Sequence, residues 1–340
     1  MAKEITIYDI ADKVGLSPTT VSRALSDSPS VRPKTKEKVN QAAKSLGYRS
    51  NIFAASLRKK STHNIGVIVP RLNSSFQSSV LAGMENIASQ AQYNLIISQS
   101  LESSKKEQTN ALTMYNSHVD GLLVSMAENT GNTDHFKPFT EKGIPLIFFD
   151  RTPDEPSSPS IIIDNTQAAY AATSHLLDQG CRNIHHIVGN SGISTYKNRI
   201  KGFKYALMDR QLPYTEEQNI YSVLNEESGE EIANIILQID PLPDGLVISN
   251  DACAASCIQY LKKKGIRIPQ DIAIVGFNND AISRLIEPNL STINYPGYEM
   301  GEIAMRNLLL RLSENDDSPG TNETITLKSE LIVRESSLKK

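Results

Sequence analysis

No stretch of this 340-residue chain approaches the roughly 20 consecutive apolar residues needed to cross a bilayer, and tryptophan is absent. With 39% hydrophobic and 21% charged residues the composition is that of a soluble globular protein, and membrane spanning is excluded. Cysteine is scarce. Three in the whole chain make no even disulfide framework, and Cys253 and Cys257, four apart with no adjacent histidine, lack a zinc spacing, so buried thiols are expected. The opening MAKEITIYDI carries Lys3, Glu4 and Asp9 where a secretory leader places its apolar run, which makes a cytoplasmic location the expectation. Neither a GxxxxGK[ST] loop nor a strand-anchored GxGxxG occurs, so a nucleotide-cofactor enzyme has no support. No cofactor and no metal are expected.

Charge of one sign is lacking overall, with a net of −3, but it is unevenly divided. Residues 1–60 hold 12 Lys/Arg against 5 Asp/Glu, a net of +7, which leaves 23 against 33, a net of −10, for the remainder. A basic module beside an acidic body is the footprint of a nucleic-acid reader, because each neutralised phosphate releases condensed counterions. A solvated basic tail is the plainer reading.

The basic segment carries helix punctuation that a tail would not need. In Thr6-Ile7-Tyr8-Asp9 a capping-box pattern precedes the apolar spacing Ile7, Ile10, Ala11, Val14. Gly15 permits a tight turn, Leu16 can plug a core, Ser17 is a good N-cap and Pro18 suits the first helical position. The second helix turns Val21, Ala24 and Leu25 inward and Thr19, Ser22 and Arg23 outward, a surface of short donors and one guanidinium that suits a major groove. Two such helices make a helix-turn-helix. A third helix from near Pro33, carrying Lys34, Lys36 and Lys38, buries Val39, Ala42, Ala43 and Leu46 before Gly47 stops it. Residues 51–58, with Asn51 at the start and Leu57 near the end, are too few for a stable isolated helix and read as a linker that folds against DNA and a partner copy, or as a plain flexible one.

TIYDIADKVGLSPTTVSRALS, a third helix ending in LGYRSN, and AASLRKKST leading into IGVIVP resemble the LacI/GalR family of bacterial transcription regulators over essentially the whole chain. The resemblance implies that Pro18, Thr19 and Arg23 lie at operator base edges, that Thr6, Tyr8, Ser17 and Ser22 hold phosphates, and that Leu57 enters the central minor groove. Ser50 stands where the family usually has proline.

The body is legible without that likeness. Apolar runs at 65–69, 94–98, 121–125, 145–150, 161–165, 183–189, 245–249 and 272–277, separated mostly by helix-length amphipathic stretches, give a β-α-β rhythm and parallel sheets covered on both faces. Aperiodic breaks at 151–160, 287–297 and 314–322 read as crossovers between two lobes, and the resemblance implies three crossings in a fold like periplasmic sugar-binding proteins. His185 and His186, inside a strand pattern, read as packing residues beside an exposed edge. The expected fold class is α/β, an all-α helix-turn-helix module plus a two-lobed parallel α/β body like periplasmic binding proteins. The expected divisions are 1–49 for the module, 50–61 for the hinge and 62–340 for the body, with lobe 1 at about 62–153 and 293–320 and lobe 2 at about 161–289 and 323–337.

In open parallel sheets a ligand sits beyond the carboxyl ends of the strands. Residues there are Asn73, Ser75, Phe76, Ser98, Ser125, Asp150 and Arg151 in the first lobe and Tyr196, Arg199, Asn250 and Asn278 in the second. Carboxylate, guanidinium, amides and an aromatic face suit a polyhydroxylated ligand, since desolvated hydroxyls need paired donors and acceptors. The resemblance supports Arg199 in Arg199-Ile200-Lys201-Gly202-Phe203, the pair Asp150-Arg151, and positions Asn250 and Asn278, although the family usually has Asp in place of Asn278. Asp164, Asn165 and Asp251 stand at expected helix starts and read equally as caps.

The function these features favour is a sequence-specific DNA-binding transcriptional regulator, a repressor, whose operator affinity responds to a sugar or sugar derivative bound between the lobes. It would act as a homodimer on double-stranded operator DNA, with no membrane partner and no catalysis. Arg23 would read bases and Lys34 would hold phosphate. A sugar-binding protein without DNA function explains only the body. A sugar-acting enzyme using Asp150 or Asp251 lacks a paired carboxylate or nucleophile.

Overall fold

The computed structural model describes residues 5–48, 61–154, 158–313 and 323–339, so Asn51, Leu57 and the hinge expectation lie outside the described residues. The chain divides into two compact units, 1–62 and 63–340.

The small unit consists of α1 (Ile7–Val14), α2 (Pro18–Leu25) and α3 (Pro33–Leu46). The Thr6 backbone N–H and hydroxyl both donate to the Asp9 carboxylate, at 2.8 and 2.7 Å, which fixes the start of α1. Gly15, with φ at +67°, ends it in the left-handed conformation that favours glycine. Two residues later the Ser17 hydroxyl accepts from the Thr20 N–H, so α2 begins almost at once. Ile10, Ala11, Val14, Val21, Ala24, Val31, Val39, Ala42 and Ala43 close a core of their own, with Leu16 packed against it.

The large unit carries two six-stranded sheets. In chain order its elements are β1 (Asn64–Val69), α4 (Ser75–Gln90), β2 (Asn94–Gln99), α5 (Ser104–Asn116), β3 (Gly121–Val124), α6 (Lys137–Glu141), β4 (Leu146–Phe149), β5 (Ser160–Ile163), α7 (Asn165–Asp178), β6 (Ile184–Val188), α8 (Ser194–Asp209), β7 (Asn219–Tyr221), α9 (Ser228–Ile236), β8 (Gly245–Ile248), α10 (Asp251–Lys263), β9 (Ala273–Asn278), β10 (Ser291–Asn294), α11 (Gly297–Ser313), β11 (Thr324–Leu327) and β12 (Glu330–Ile332). The first sheet runs β11-β5-β4-β3-β1-β2, all parallel; the second runs β12-β10-β9-β8-β6-β7, parallel except for β12. β3, β4, β6 and β8 are buried at every residue, as strands covered on both faces must be.

Sheet membership moves two of the expected boundaries. The expected lobe 2 begins at about 161, yet β5 pairs with β4 (Phe148 with Ser160, Phe149 with Ile161) and so belongs to lobe 1. β11, also assigned to lobe 2, pairs with β5 in the same sheet. The proline-rich 151–160 and the break 314–322 are therefore connections within lobe 1. The chain changes sheet at Asp164, at 295–296 and at 328–329. The break expected at 287–297 contains strand β10, whose STIN pattern is short, and 314–322 lies outside the described residues; which sheet a strand joins is set by its partner and not by the loop before it. His185 and His186 are buried on β6, the strand next to the edge strand β7, as packing beside an edge requires.

In each lobe helices meet closely at glycine. α4 crosses α11 where Gly83 lies under the Tyr298 carbonyl and Gly301 under the Val80 carbonyl; α7 crosses α8 where Gly202 lies under the carbonyl of Thr166. A methyl group at any of these would collide with backbone, which cannot rotate away. Gly202→Ala is therefore expected to destabilise the folded protein by about 1–3 kcal/mol. Urea unfolding with an unchanged midpoint would show that the helices separate without cost.

Candidate functional site

On the small unit the face of α2 opposite its core presents Thr19 and Arg23 to solvent, with Ser22 half-buried beside them, and Tyr8 on α1 is 65% exposed. Ser17 and Thr6 are both helix caps, so their hydroxyls have structural partners as well as exposure. Pro18 opens α2, half-buried. The three lysines near the start of α3 divide. Lys36 bonds the Asp27 carboxylate at 2.6 Å and Lys38 bonds the Val14 carbonyl at 3.0 Å, while Lys34 is exposed at the start of the helix.

In the large unit the expected cleft residues converge on two buried groups, one from each lobe. Asp150 ends β4 with φ at +59° and is 6% exposed. Its carboxylate accepts from Gln77 Nε2 (3.1 Å), Ser125 Oγ (3.3 Å) and the Tyr295 hydroxyl (2.8 Å). Burial pushes its carboxyl pKa up, against the pull of Arg151 and the Tyr295 bond. From lobe 2, Thr195 Oγ1 donates to the Asp150 carbonyl at 3.1 Å.

Arg199, on α8, is the second group and is 3% exposed. Its Nε donates to Asn165 Oδ1 (2.9 Å), one terminal nitrogen donates to the Ser249 carbonyl (3.0 Å), and the guanidinium lies 4.0 Å from the centre of the Phe277 ring. Burial holds its pKa below the usual arginine value. Tyr295 stands between the two groups: its hydroxyl is on Asp150, its ring is 5.9 Å from the Arg199 guanidinium carbon, and its other neighbour is the Phe76 ring at 4.4 Å. Tyr196 lies 5.6 Å from Arg199 and 5.8 Å from Arg151. Arg151 itself bonds Glu102 at 2.7 Å.

Two recesses flank this network. One, of about 470 Å³, is walled by Ser75, Phe76 and Ser79 on α4, by Asn278–Ala281 after β9, and by Asn294–Glu299 where the chain passes into α11. The other, of about 320 Å³, lies among Met126–Asp134, Arg151–Asp154 and Gly192–Ser194. Asn278 has a φ of +107° and Asn279 of +57°, a strained turn held by Thr292 Oγ1, by Arg334 on Asn279 Oδ1 (2.8 Å), and by Asp251, whose Oδ2 accepts the Asp280 N–H (2.8 Å). Buried Asp251, held well above the usual carboxylate range mainly by desolvation, is thus a bracket for that turn.

Ser75, Phe76, Ser125, Asp150, Arg151, Tyr196, Arg199 and Asn278 are brought to the network or its recesses. Three others are not. Asn73 is exposed before α4; the Ser98 hydroxyl is buried on edge strand β2 without a partner; Asn250 caps α10 through the Cys253 N–H at 3.0 Å. Asp164 caps α7, its expected alternative role, whereas Asn165 is bonded to Arg199. Sequence reasoning missed Gln77, Ser249, Phe277 and Tyr295. For Tyr295, a polar-tipped aromatic inside a presumed crossover was the available signal; Gln77, one turn into a helix, offered none.

Cys253 and Cys257 are buried, and burial pushes the Cys253 thiol up to about 11. Among the described residues no group of three or more His, Cys, Asp or Glu could hold a metal, and no helix is long and apolar enough to cross a membrane.

A helix-turn-helix and a two-lobed cleft in one chain make a DNA-binding transcriptional regulator. The chain belongs to the lacI family of bacterial regulatory proteins. That family's description matches residues 6–51, and a periplasmic binding protein-like domain matches residues 173–337. Catabolite control protein A of Priestia megaterium is 31% identical over 303 residues, covering 89% of this chain and 91% of its own. The lac repressor dimer bound to operator and an anti-inducer shares the fold with a TM-score of 0.84 at 24% identity, over 99% of this chain and all of that one. A LacI family transcriptional regulator from Enterococcus faecium with bound ribose gives a TM-score of 0.72 at 26% identity, over 82% of this chain and 99% of that one.

His186 reports on the network from below. It is fully buried, its Nε2 lies 3.0 Å from the Ser249 hydroxyl, and burial lowers its pKa from 6.5 to about 3. Because the folded value lies below the unfolded one, its contribution is fully present above about pH 6.5 and is lost as the pH falls towards 3. Below pH 6.5 the wild type should lose stability relative to His186→Gln by up to about 1.4 kcal/mol per pH unit. A pH-independent difference in urea unfolding would contradict this.

Proposed function

We propose that this protein is an operator-binding repressor controlled by a sugar or sugar derivative held between its two lobes. The observation that carries the reading is the buried pair Asp150 and Arg199, contributed by different lobes and bridged by Tyr295, beside open recesses lined by polar side chains. A ligand touching both lobes there can change their relative populations of open and closed arrangements, and only such differential contact can move operator affinity. The relative from Enterococcus faecium with bound ribose supports a sugar as the class. That relative is named a transcriptional regulator, which supports binding in place of catalysis.

On the DNA side, exposed Thr19 and Arg23 would read base edges with Pro18, while Thr6, Tyr8, Ser17, Ser22 and Lys34 would hold phosphates. Two copies would present two α2 helices to a two-fold operator. A cytoplasmic place follows from DNA as partner. With an operator selected from random duplexes, Arg23→Ala should weaken binding by about 1–3 kcal/mol and relax preference at one base pair, whereas Lys34→Ala should weaken all duplexes alike. Equal losses on operator and random DNA for Arg23→Ala would reduce that residue to a phosphate contact.

On the ligand side, Arg199→Ala should abolish the response to a sugar identified by thermal-shift screening while operator binding without sugar survives. An unchanged sugar affinity in that variant would remove Arg199 from the site.

A further inference from the structure

The charge around the larger recess narrows the ligand class, on the reading that this cleft binds the effector. Its walls include Asp280 and Glu299, the amides of Asn278 and Asn294, and the rings of Phe76 and Tyr295; among the described residues no lysine, arginine or histidine lines it. The arginines nearby do not line this recess, and each has partners within the protein. Arg199 is bonded to Asn165 and the Ser249 carbonyl and covered by Phe277, Arg151 is bonded to Glu102, and Arg334 is bonded to Asn279, Ser283 and the Leu290 carbonyl.

The carboxylates do line it. Asp280 is half-buried, its carboxylate accepts, among the described residues, only the long 3.5 Å bond from the Asn278 amide, and desolvation raises its pKa. Its place is rigid, because its backbone N–H is clamped to Asp251. α4 and α11 both start at this recess, and each contributes about half a positive charge there. Two carboxylates, one of them Glu299 in the first turn of α11, exceed that contribution.

We infer that the recess selects an uncharged or amine-bearing polyol and rejects its phosphorylated or carboxylated counterparts, with Asp280 as the discriminating group. Hydroxyl or ammonium hydrogens of the ligand would satisfy Asp280, the Asn278 and Asn294 amides would complete the pairing, and Phe76 and Tyr295 would cover an apolar sugar face. An anion would meet repulsion that water screens only partly in a half-enclosed site.

The test is isothermal titration of the full chain with D-glucose, D-glucosamine and D-glucose 6-phosphate, and with D-ribose and D-ribose 5-phosphate. Within each set the phosphorylated member should bind at least about 10-fold more weakly than its parent, and Asp280→Asn should narrow that ratio. Glu299→Gln, at an exposed position, should narrow it in the same direction and serves if Asp280→Asn does not fold. A phosphorylated member binding as tightly as its parent, or a ratio unchanged in a folded variant, overturns the inference while the sugar reading stands. If no sugar binds although the protein still binds its selected operator, the sugar reading falls and this inference with it.

Discussion

A carboxylate carried into the interior of a protein keeps its charge only if donors meet it, and Asp150 is placed where those donors must come from distant segments. Gln77 arrives from the first helix after β1, Ser125 from the end of β3, and Tyr295 from the strand end at which the chain returns from one lobe to the other. An isolated buried charge of this kind would cost several kcal/mol. The need to satisfy it ties the connection between the lobes to the floor of the cleft, and Arg199 opposite, buried and bonded to Asn165 and the Ser249 carbonyl, adds a constraint from lobe 2. The cleft is consequently a bonded polar network with a recess on either side.

That arrangement suits a regulator better than a static binding protein. Two of the three segments crossing between the lobes adjoin this network: Asp164 precedes Asn165, which accepts from Arg199, and Tyr295 holds Asp150. A ligand that competes for, or completes, these bonds acts directly on the segments about which the lobes would rearrange. The strained turn at Asn278 and Asn279, braced by Asp251, Thr292 and Arg334, brings the C-terminal strand region into the same support.

The DNA-reading unit follows a different logic. It has its own closed core, and its exposed polar face is left over after that core is satisfied. Lys36 and Lys38 show that basic residues in such a module are not all equivalent: each has an acceptor within the unit, which leaves the exposed Lys34 better suited to long-range attraction of a phosphate backbone.

What the amino-acid sequence determined by itself was whatever depends on neighbours along the chain. The capped helices of the small unit, the buried parallel strands and the family were legible because capping, 3.6-residue spacing and continuous apolar runs are local patterns. Asp150, Arg199 and Ser125 could be named because the carboxyl ends of parallel strands are where ligands gather. Only the tertiary structure decided that β5 and β11 join the first sheet, that Asn250 is a cap, that Asp251 is a bracket, and that Gln77, Ser249, Phe277 and Tyr295 belong to the network. Those outcomes rest on contacts between residues far apart in the chain, up to 145 positions for Tyr295 and Asp150, where hydrogen-bond geometry and burial choose among side chains that look interchangeable in one dimension.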